Sequence, residues 1–168
     1  MEPLVIFTDG SCMGNGRRDA TGGIGVHFPH AELPDLSIVY PRVPCTNQKT
    51  ELYAILMALK YLEKHKKRLD LEHREIYIKT DSRYSILSIT QWAPRWIRHG
   101  WKTQDGRTVA NRKYIEPIYE LSQKYRIHFQ YVPGHSGSSD PDSRANARAD
   151  ALATRAALRA HRTVQNDP

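Results

Sequence analysis

Four acidic residues stand where a folded chain usually places uncharged side chains. Asp9 and Asp81 each follow a short apolar, β-branched run, so each is predicted at the end of a buried strand. Glu51 and Asp150 each lie beside the apolar stripe of a predicted helix. Charge at such positions is costly unless it is paired or coordinated. No basic residue has a spacing that makes it an obvious partner, so a divalent cation is the other solution.

Carboxylates grouped in this way suit Mg²⁺, which prefers oxygen ligands and shares them with substrate phosphates. Four carboxylates can hold two such ions about 4 Å apart, the spacing used for in-line displacement at phosphorus. For any one of these acids, a carboxylate in a turn or at a helix end is the commoner explanation. Only the four together carry the prediction of a two-metal site.

Periodicity predicts the elements that must bring these acids together. Short apolar or alternating runs predict five strands, at 4–8, 22–28, 36–43, 75–80 and 126–132. Helical spacing of apolar residues predicts helices at 47–67, 82–91, 112–124 and 145–161, with a short one after Pro94. This order predicts an α/β fold, a mixed sheet with helices on its faces. If the first and fourth strands are parallel neighbours, Asp9 and Asp81 emerge at the same sheet edge.

The charge distribution suggests a polyanionic partner. The chain has 168 residues, enough for one domain, and a formal charge of +7. Between residues 83 and 113, seven Lys/Arg stand against one acid, and four aromatic residues are interleaved with them. Basic and flat side chains in one segment suit the phosphates and the sugar or base faces of nucleic acid. A solvated surface over packed aromatics explains that segment equally well when it is taken alone.

The cysteines and the hydropathy of the chain predict its cellular compartment and whether it crosses a membrane. Cys12 and Cys45 are far apart in the sequence and form no CxxC pair, so we expect neither a disulfide framework nor a zinc site. So few cysteines are typical of an intracellular protein, in the cytoplasm, nucleus or mitochondrion. No stretch approaches the roughly 18 apolar residues of a membrane span. We expect a monomer with no membrane partner.

The order of short motifs makes the chain recognisable. It resembles the catalytic domain of type 1 ribonuclease H, in its eukaryotic form most closely. The matching stretches, in family order, are TDGSCMGNGRR (8–18), GGIGV (22–26), TNQKTEL (46–52), TDSRYSI (80–86), ITQWAPRWIRHGWKT (89–103), VPGHSG (132–137) and NARADALA (146–153). The resemblance implies a ribonuclease H-like fold over residues 1–162, a five-stranded mixed sheet flanked by helices. Residues 163–168 are expected to form a disordered tail.

The resemblance also implies an activity and a catalytic set. It implies an endoribonuclease that hydrolyses the RNA strand of RNA/DNA hybrids and leaves 5′-phosphate and 3′-hydroxyl ends. It implies two Mg²⁺ ions bound with the substrate, for which Mn²⁺ can substitute. Asp9, Glu51, Asp81 and Asp150 match the family's metal-binding carboxylates. His135 matches a loop histidine that assists proton transfer or product release.

A second set of positions matches substrate-binding residues of the family. Those that match contacts to the minor groove and 2′-hydroxyls are Asn15, Asn47 and Gln48. Those that match a channel for the DNA strand are Tyr84, Trp92 and Trp96. Those that match a pocket for a DNA phosphate are Thr46 and Asn111. Each has a structural alternative, because the asparagines suit turns and helix starts and Trp92 and Trp96 have the spacing of packed neighbours on a helix.

The chain departs from the family pattern at two places. Pro44 stands where the family often has a basic residue of the phosphate pocket, and the nearby Arg42 could compensate for it. The interval from His135 to Asp150 is longer than the family pattern, and it adds two acids near an anionic substrate. We expect residues 133–145 to form a long, mobile loop.

Two other functions remain open at this point. A non-catalytic protein that binds RNA/DNA hybrids could use the same fold. The complete set of carboxylates argues against it, because a pure binder gains nothing from negative charge beside phosphates. A nuclease for duplex RNA or duplex DNA is the other possibility. The match at Asn15, Asn47, Gln48 and the two tryptophans disfavours it.

Overall fold

The computed structural model describes residues 1–166, which fold around one mixed sheet. Its strands are β1 (Leu4–Met13), β2 (Thr21–His27), β3 (Leu36–Val39), β4 (Glu75–Thr80) and β5 (Arg126–Tyr131). The strand order is β3-β2-β1-β4-β5. β1 pairs with β4 in parallel and with β2 in antiparallel fashion, and β4 pairs with β5 in parallel. The predicted five-stranded mixed sheet is confirmed.

Helices cover both faces of this sheet. They are α1 (Asn47–Lys64), α2 (Lys66–Leu69), α3 (Arg83–Leu87), α4 (Ala93–Arg98), α5 (Arg112–Lys124) and α6 (Pro141–Asn166). A 3₁₀ turn follows α2, and a π turn at Ser88–Trp92 joins α3 to α4. Pro94 lies in the first turn of α4, where its missing N–H costs nothing. Within residues 1–166, no helix is both long and apolar enough to cross a bilayer.

The first strand is longer than the apolar run predicts. The parallel ladder with β4 ends at Phe7, which pairs with Lys79. β1 nevertheless continues to Met13, because its antiparallel pairing with β2 extends that far. The expectation that Asp9 ends the strand is therefore wrong. Asp9 lies in the middle of β1, at the point where β1 loses one of its two neighbours.

Two helices approach the sheet closely because glycines face them. A Cβ on Gly23 or Gly25 would overlap the backbone of α6, and a Cβ on Gly10 would overlap the backbone of Thr50 in α1. The face of α6 that meets the glycines is itself built of small residues, among them Ala149 and Ala153. Small side chains on both partners let the helix and the sheet lie almost in backbone contact.

The main core fills the space between the sheet and α1. Leu4, Ile6 and Ile24 from the sheet are fully buried there, together with Leu52 and Ile55 from α1. A smaller cluster on the α6 side joins the buried side chains of Phe7, Val132, Ala145 and Ala149. The apolar stripe that predicts α1 is thus the stripe that packs on the sheet.

The last helix begins earlier and ends later than expected. Asp140 accepts a hydrogen bond from the Ser143 N–H at 2.9 Å, and Pro141 follows it as the first helical residue. This is an N-cap with proline behind it, so residues 141–145 are helical and the expected loop 133–145 is shorter. The helix continues through Asn166, beyond the expected boundary at residue 162. The rest of the expected tail, residues 167–168, lies outside the described residues.

The two cysteines form a disulfide bond. Cys12 sits in the unexpected extension of β1, and Cys45 directly precedes the Thr46 cap of α1. Their Cα atoms are 6.1 Å apart, although 33 positions separate them in the sequence. The expectation that these cysteines form no disulfide framework is therefore wrong for this pair. It rested on their separation in the sequence, and the longer β1 places Cys12 beside Cys45 in space.

We expect Gly25→Ala to destabilise the protein by about 3 kcal/mol, or to prevent folding, because the added methyl would push α6 off the sheet. Urea unfolding measures the loss. Gly106→Asn is the matched control, since Gly106 has open space around it and a φ of +81° that asparagine tolerates. A similar loss in both variants would contradict the close packing.

The disulfide closes a loop with a sequence separation of 33, which predicts a stabilisation of about 3–4 kcal/mol. Reduction should therefore lower the urea midpoint of the native chain. The control is a chain with Cys12→Ser and Cys45→Ser, whose midpoint should not respond to the reductant. An unchanged midpoint for the native chain would show that the link adds nothing.

Candidate active site

The sheet brings Asp9 and Asp81 to one edge, as predicted. Asp81 directly follows Thr80, the last residue of β4. Asp9 lies two residues beyond Phe7, where the parallel ladder between the strands ends. The carboxylates therefore enter the gap that opens when β4 stops and β1 continues.

Glu51 reaches the same gap from α1. Thr46 begins that helix, because its hydroxyl accepts a hydrogen bond from the Lys49 N–H at 3.2 Å. Glu51 is thereby fixed in the first turns, and its backbone rests against Gly10, where a side chain would not fit. A glycine next to Asp9 is thus what lets the helix deliver Glu51 to that carboxylate.

Three carboxylates form a tight group. One oxygen from each of Asp9, Glu51 and Asp81 lies within 4.8 Å of the others. Asp150 on α6 stands outside this tight group but close to it, since its charge raises the pKa of both Glu51 and Asp81. The structure thus brings the four predicted acids to one place. Three of them form the tight group, and Asp150 lies next to it.

Burial, with repulsion between the acids, raises the pKa of Asp9, Glu51 and Asp81. Burial is the main cause that raises the pKa of Asp9, whose side chain is 3% exposed, and the charge of Glu51 adds to it. Burial likewise raises the pKa of Glu51 and of Asp81. For Asp81, a hydrogen bond from Asn146 and the nearby His135 act in the opposite direction. Without a cation, the cluster cannot carry its full negative charge at neutral pH.

The donor set fits a divalent metal ion. All of its ligands are carboxylate oxygens, the type that Mg²⁺ and Mn²⁺ prefer. The Glu51 Oε2 atom is buried and has no hydrogen-bond partner. Within residues 1–166, no lysine or arginine forms an ion pair with any of the four acids. A buried carboxylate oxygen without a partner, in a group of three carboxylates, is the feature that a metal ion would satisfy.

His135 lies at the rim of the carboxylate group. The preceding Gly134 approaches Asp81 so closely that a Cβ would lie 2.6 Å from its Oδ2 atom. His135 itself is exposed, with a φ of +49° in the left-handed region. Together with Asn146 and Asp150 it lines a cleft of about 210 Å³. The histidine therefore faces the acids across open space, without being bonded to them.

The added residues after His135 fix this loop. Asp142 forms an ion pair with Lys79 of β4, with 2.9 Å between Nζ and Oδ2, and only 17% of the lysine side chain is exposed. The Val132 N–H, at the start of the loop, donates to the Thr80 carbonyl at 3.0 Å. Both ends of the loop are thus held by the last two residues of β4, next to Asp81. One of the added acids is neutralised in this way and does not face the substrate side unpaired.

The predicted minor-groove residues gather at the start of α1. Asn15 accepts a hydrogen bond from the Asn47 N–H at 3.1 Å, so the turn after β1 docks on the helix. Asn15, Asn47 and Gln48 are exposed. Asn15 therefore has a structural role at the helix start, and as an exposed residue it remains accessible to solvent.

The predicted channel residues form a continuous aromatic surface. Tyr84 and Trp92 have ring centroids 6.2 Å apart, and those of Trp92 and Trp96 lie 5.8 Å apart. Trp101 extends the series at 6.0 Å from Trp96 and is buried. Trp92 is 36% exposed, so the surface offers a flat ring to solvent rather than only to the core.

Asn111 is tied to this surface. Its amide donates to the Tyr84 hydroxyl at 2.9 Å, and its backbone has a left-handed φ of +65° at the start of α5. Thr46, the other predicted pocket residue, caps α1, because its hydroxyl accepts the hydrogen bond from the Lys49 N–H. The structure thus assigns a structural contact to each of the two residues.

Sequence reasoning missed two residues of the site. Asn146 is 3% exposed and has an amide oxygen without a partner, although it adjoins Asp81. It precedes Asp150 by one helical turn, so the i, i+4 spacing on α6 was the available signal. Trp101 was noted only as part of an aromatic segment. Its left-handed φ of +60° was not readable from the sequence.

Comparison with known proteins assigns the chain to a family. The sequence model of the RNase H family matches residues 1–158. The chain belongs to the ribonuclease H family. "Ribonuclease H" of Xanthomonas campestris pv. campestris (strain 8004) is 35% identical over 158 residues, 94% of this chain and 94% of that protein. The motif-based prediction of the family is confirmed.

Two further matches extend the comparison. "Probable ribonuclease H" of Acanthamoeba polyphaga mimivirus is 49% identical over 149 residues. They are 89% of this chain and only 64% of the length of that protein. Among solved structures, the "PFV RNase H domain" superposes with a TM-score of 0.72 at 24% identity, over 92% of this chain and 94% of that one. This likeness confirms the ribonuclease H fold.

The raised pKa of Asp9 predicts how stability depends on pH in the metal-free protein. The folded protein holds protons that the unfolded chain releases above about pH 4, so stability falls as pH rises from there. Asp9→Asn removes this effect and should stabilise the metal-free protein by about 1–3 kcal/mol at pH 7, with no gain near pH 3. Thermal unfolding in EDTA at both pH values tests this.

The control for that experiment is Asp19→Asn, because Asp19 is exposed and should change stability by less than about 0.5 kcal/mol. A loss of stability in Asp9→Asn at pH 7 would show that the carboxylate is structurally required rather than electrostatically strained.

Proposed function

We propose that the chain is an endoribonuclease that hydrolyses the RNA strand of RNA/DNA hybrids and leaves 5′-phosphate and 3′-hydroxyl ends. The observation that carries this proposal is the group of Asp9, Glu51 and Asp81 oxygens within 4.8 Å, on the fold of the ribonuclease H family. A buried cluster of like charges weakens a fold, so it needs a purpose outside folding.

Asp9, Glu51, Asp81 and Asp150 would hold the metal, which we propose to be Mg²⁺, with two ions bound when substrate is present and Mn²⁺ as a substitute. Bound there, such ions lower the pKa of coordinated water and stabilise charge on the leaving oxygen. The chain's own part is to keep the three close carboxylates in position and to hold protons on Asp9 and Glu51 when no cation is there. Metal affinity should rise with pH, because binding displaces these protons.

His135 has the geometry to exchange a proton at the rim of the site. It is exposed and it lines the cleft with Asp150. An imidazole ring carries two nitrogens, which can donate or accept a proton. The loop that carries it is anchored at both ends on β4, so it stays beside Asp81. We propose that His135 assists proton transfer or product release, as its match to the family implies.

The two predicted substrate surfaces support selection of a hybrid. Asn15, Asn47 and Gln48 offer amides that both donate to and accept from 2′-hydroxyls, the group that marks RNA. Trp92 and Trp96 offer flat rings, which suit the deoxyriboses of the opposite strand. We propose that the amides hold the RNA strand and the rings hold the DNA strand.

The phosphate pocket is the least complete part of the proposed interface. We assign Thr46 and Asn111 to it from their match to the family, and Pro44 contributes no charge there. Arg42 is exposed nearby, as is Lys113 at the start of α5, and either offers the missing cation. We also propose that the protein acts as a monomer inside the cell.

The test is cleavage of an end-labelled RNA/DNA hybrid with Mg²⁺. Asp81→Asn should lower the rate by about 100-fold or more, because it removes a charge that the metal needs. The matched control is Asp70→Asn, an acid outside the cluster with a left-handed φ of +51° that asparagine tolerates, which should leave the rate unchanged.

Duplex DNA, duplex RNA and single-stranded RNA run beside the hybrid in the same assay. Cutting of the hybrid's RNA strand alone supports the proposal. Cutting of duplex RNA or DNA would point to a nuclease with other substrates. A hybrid that is bound but never cut, with Mn²⁺ as well as Mg²⁺, would instead support the non-catalytic binding protein.

A further inference from the structure

All five arginines of α6 lie along one side of the helix. They are Arg144, Arg148, Arg155, Arg159 and Arg162, and we call them the arginine stripe. At about 100° per residue, they fall within about 60° of one another around the helix axis. At about 1.5 Å per residue, the stripe is about 27 Å long. The helix contains no lysine, so this side is formed by one kind of cation.

The stripe is exposed and mostly without acidic partners. All five side chains belong to exposed residues. Arg148 lies 3.7 Å from Asp35, whose carboxylate already binds His27 at 2.9 Å, and Arg159 donates to the Ser37 carbonyl at 2.8 Å. Within residues 1–166, the other three form no ion pair. The stripe is therefore a net positive surface held in a straight line.

The acids of α6 do not neutralise this surface. Asp142 is paired with Lys79, and Asp150 belongs to the carboxylate site. On the helical projection Asp150 lies about 145° from the centre of the stripe. Arg144 lines the cleft beside His135 and Asp150. The other four arginines face away from the carboxylates, and a stretch of substrate at the site does not touch them.

Phosphates are the groups that this surface fits best. Arginine presents a planar fork of donors that binds phosphate oxygens in pairs. One turn of a duplex is about 34 Å long, so a straight stripe of about 27 Å lies across the phosphate backbones on both sides of a groove. An anionic membrane fits less well, because binding there needs large apolar side chains to insert, and only Leu158 on this helix is an exposed large apolar residue.

We propose that the arginine stripe is a second nucleic-acid contact, which binds the phosphates of a duplex outside the stretch held at the carboxylates. It adds affinity for long duplexes and reads no sugar, so hybrid and duplex DNA bind it alike. The proposal concerns binding only, and it holds whether or not the carboxylates cleave RNA.

The test compares two variants with the same loss of charge. One carries Arg148→Gln, Arg155→Gln and Arg162→Gln, which leaves out Arg144 because that residue lines the cleft beside His135. The control carries Lys64→Gln, Lys66→Gln and Lys67→Gln, which are exposed at the end of α1 and in α2. Fluorescence anisotropy measures binding to a hybrid and to a DNA duplex of about 36 base pairs, over a range of salt concentrations and in EDTA. Circular dichroism and thermal unfolding confirm that both variants fold.

The stripe variant should bind both long duplexes about 10-fold more weakly, with a logarithmic salt slope that is smaller by about 2–3. Its KM and kcat for a hybrid of about 12 base pairs should stay within about two-fold of the native values, since so short a duplex is held at the site alone. The control should change long-duplex affinity by less than about two-fold.

Three results would overturn the proposal. Equal losses in the two variants would mean that only net charge matters. An unchanged affinity in the stripe variant would mean that the stripe is solvated surface. Binding to vesicles of phosphatidylserine and phosphatidylcholine that depends on the stripe, with duplex binding intact, would make a lipid surface the partner. Failure of the proposed nuclease activity is a separate result, because the anisotropy assay contains no metal and requires no cleavage.

Discussion

The burial of Asp9 beside Glu51 is the constraint around which the site is arranged. Two carboxylates out of contact with water resist being brought together, so the surrounding backbone must hold them there. Gly10 removes the side chain that would keep α1 away, and Gly25 does the same for α6 on the other face. The local shape of the sheet is thus adapted to a cluster that opposes folding, and a bound cation would reverse that opposition.

Two separate helical segments around the carboxylates carry the two proposed substrate-binding surfaces. The start of α1 carries the exposed amides, and the helical stretch from α3 to α4 carries the aromatic surface. A single π turn joins those two helices, and such turns are frequent at functional sites. The amides sit on a helix packed against the sheet, and the π turn and α4, which carry Trp92 and Trp96, pack against α5. The distance between amides and rings is therefore set by the fold rather than by the substrate.

Local patterns predicted much of this arrangement. The apolar runs before Asp9 and Asp81 and the helical stripe of α1 are local signals, and the structure follows them. The glycine-rich extension of β1 was missed, because it reads as a turn and only its pairing with β2 makes it a strand. The Cys12–Cys45 link was missed for the same reason. The early start of α6 was readable, since Asp140 followed by proline is a helix-start signal that was overlooked among loop-forming residues.

The anchoring of the His135 loop limits how far its histidine can travel. Val132 is held on β4 through its backbone, and His135 follows it by three residues. An extended chain gains at most about 3.5 Å per residue, so the backbone of His135 stays within about 10 Å of Val132 in any conformation of the loop. A longer segment between the histidine and Asp150 therefore adds no reach. The extra residues lengthen α6 instead of the segment before His135. The histidine therefore stays near the carboxylates in every conformation of the loop.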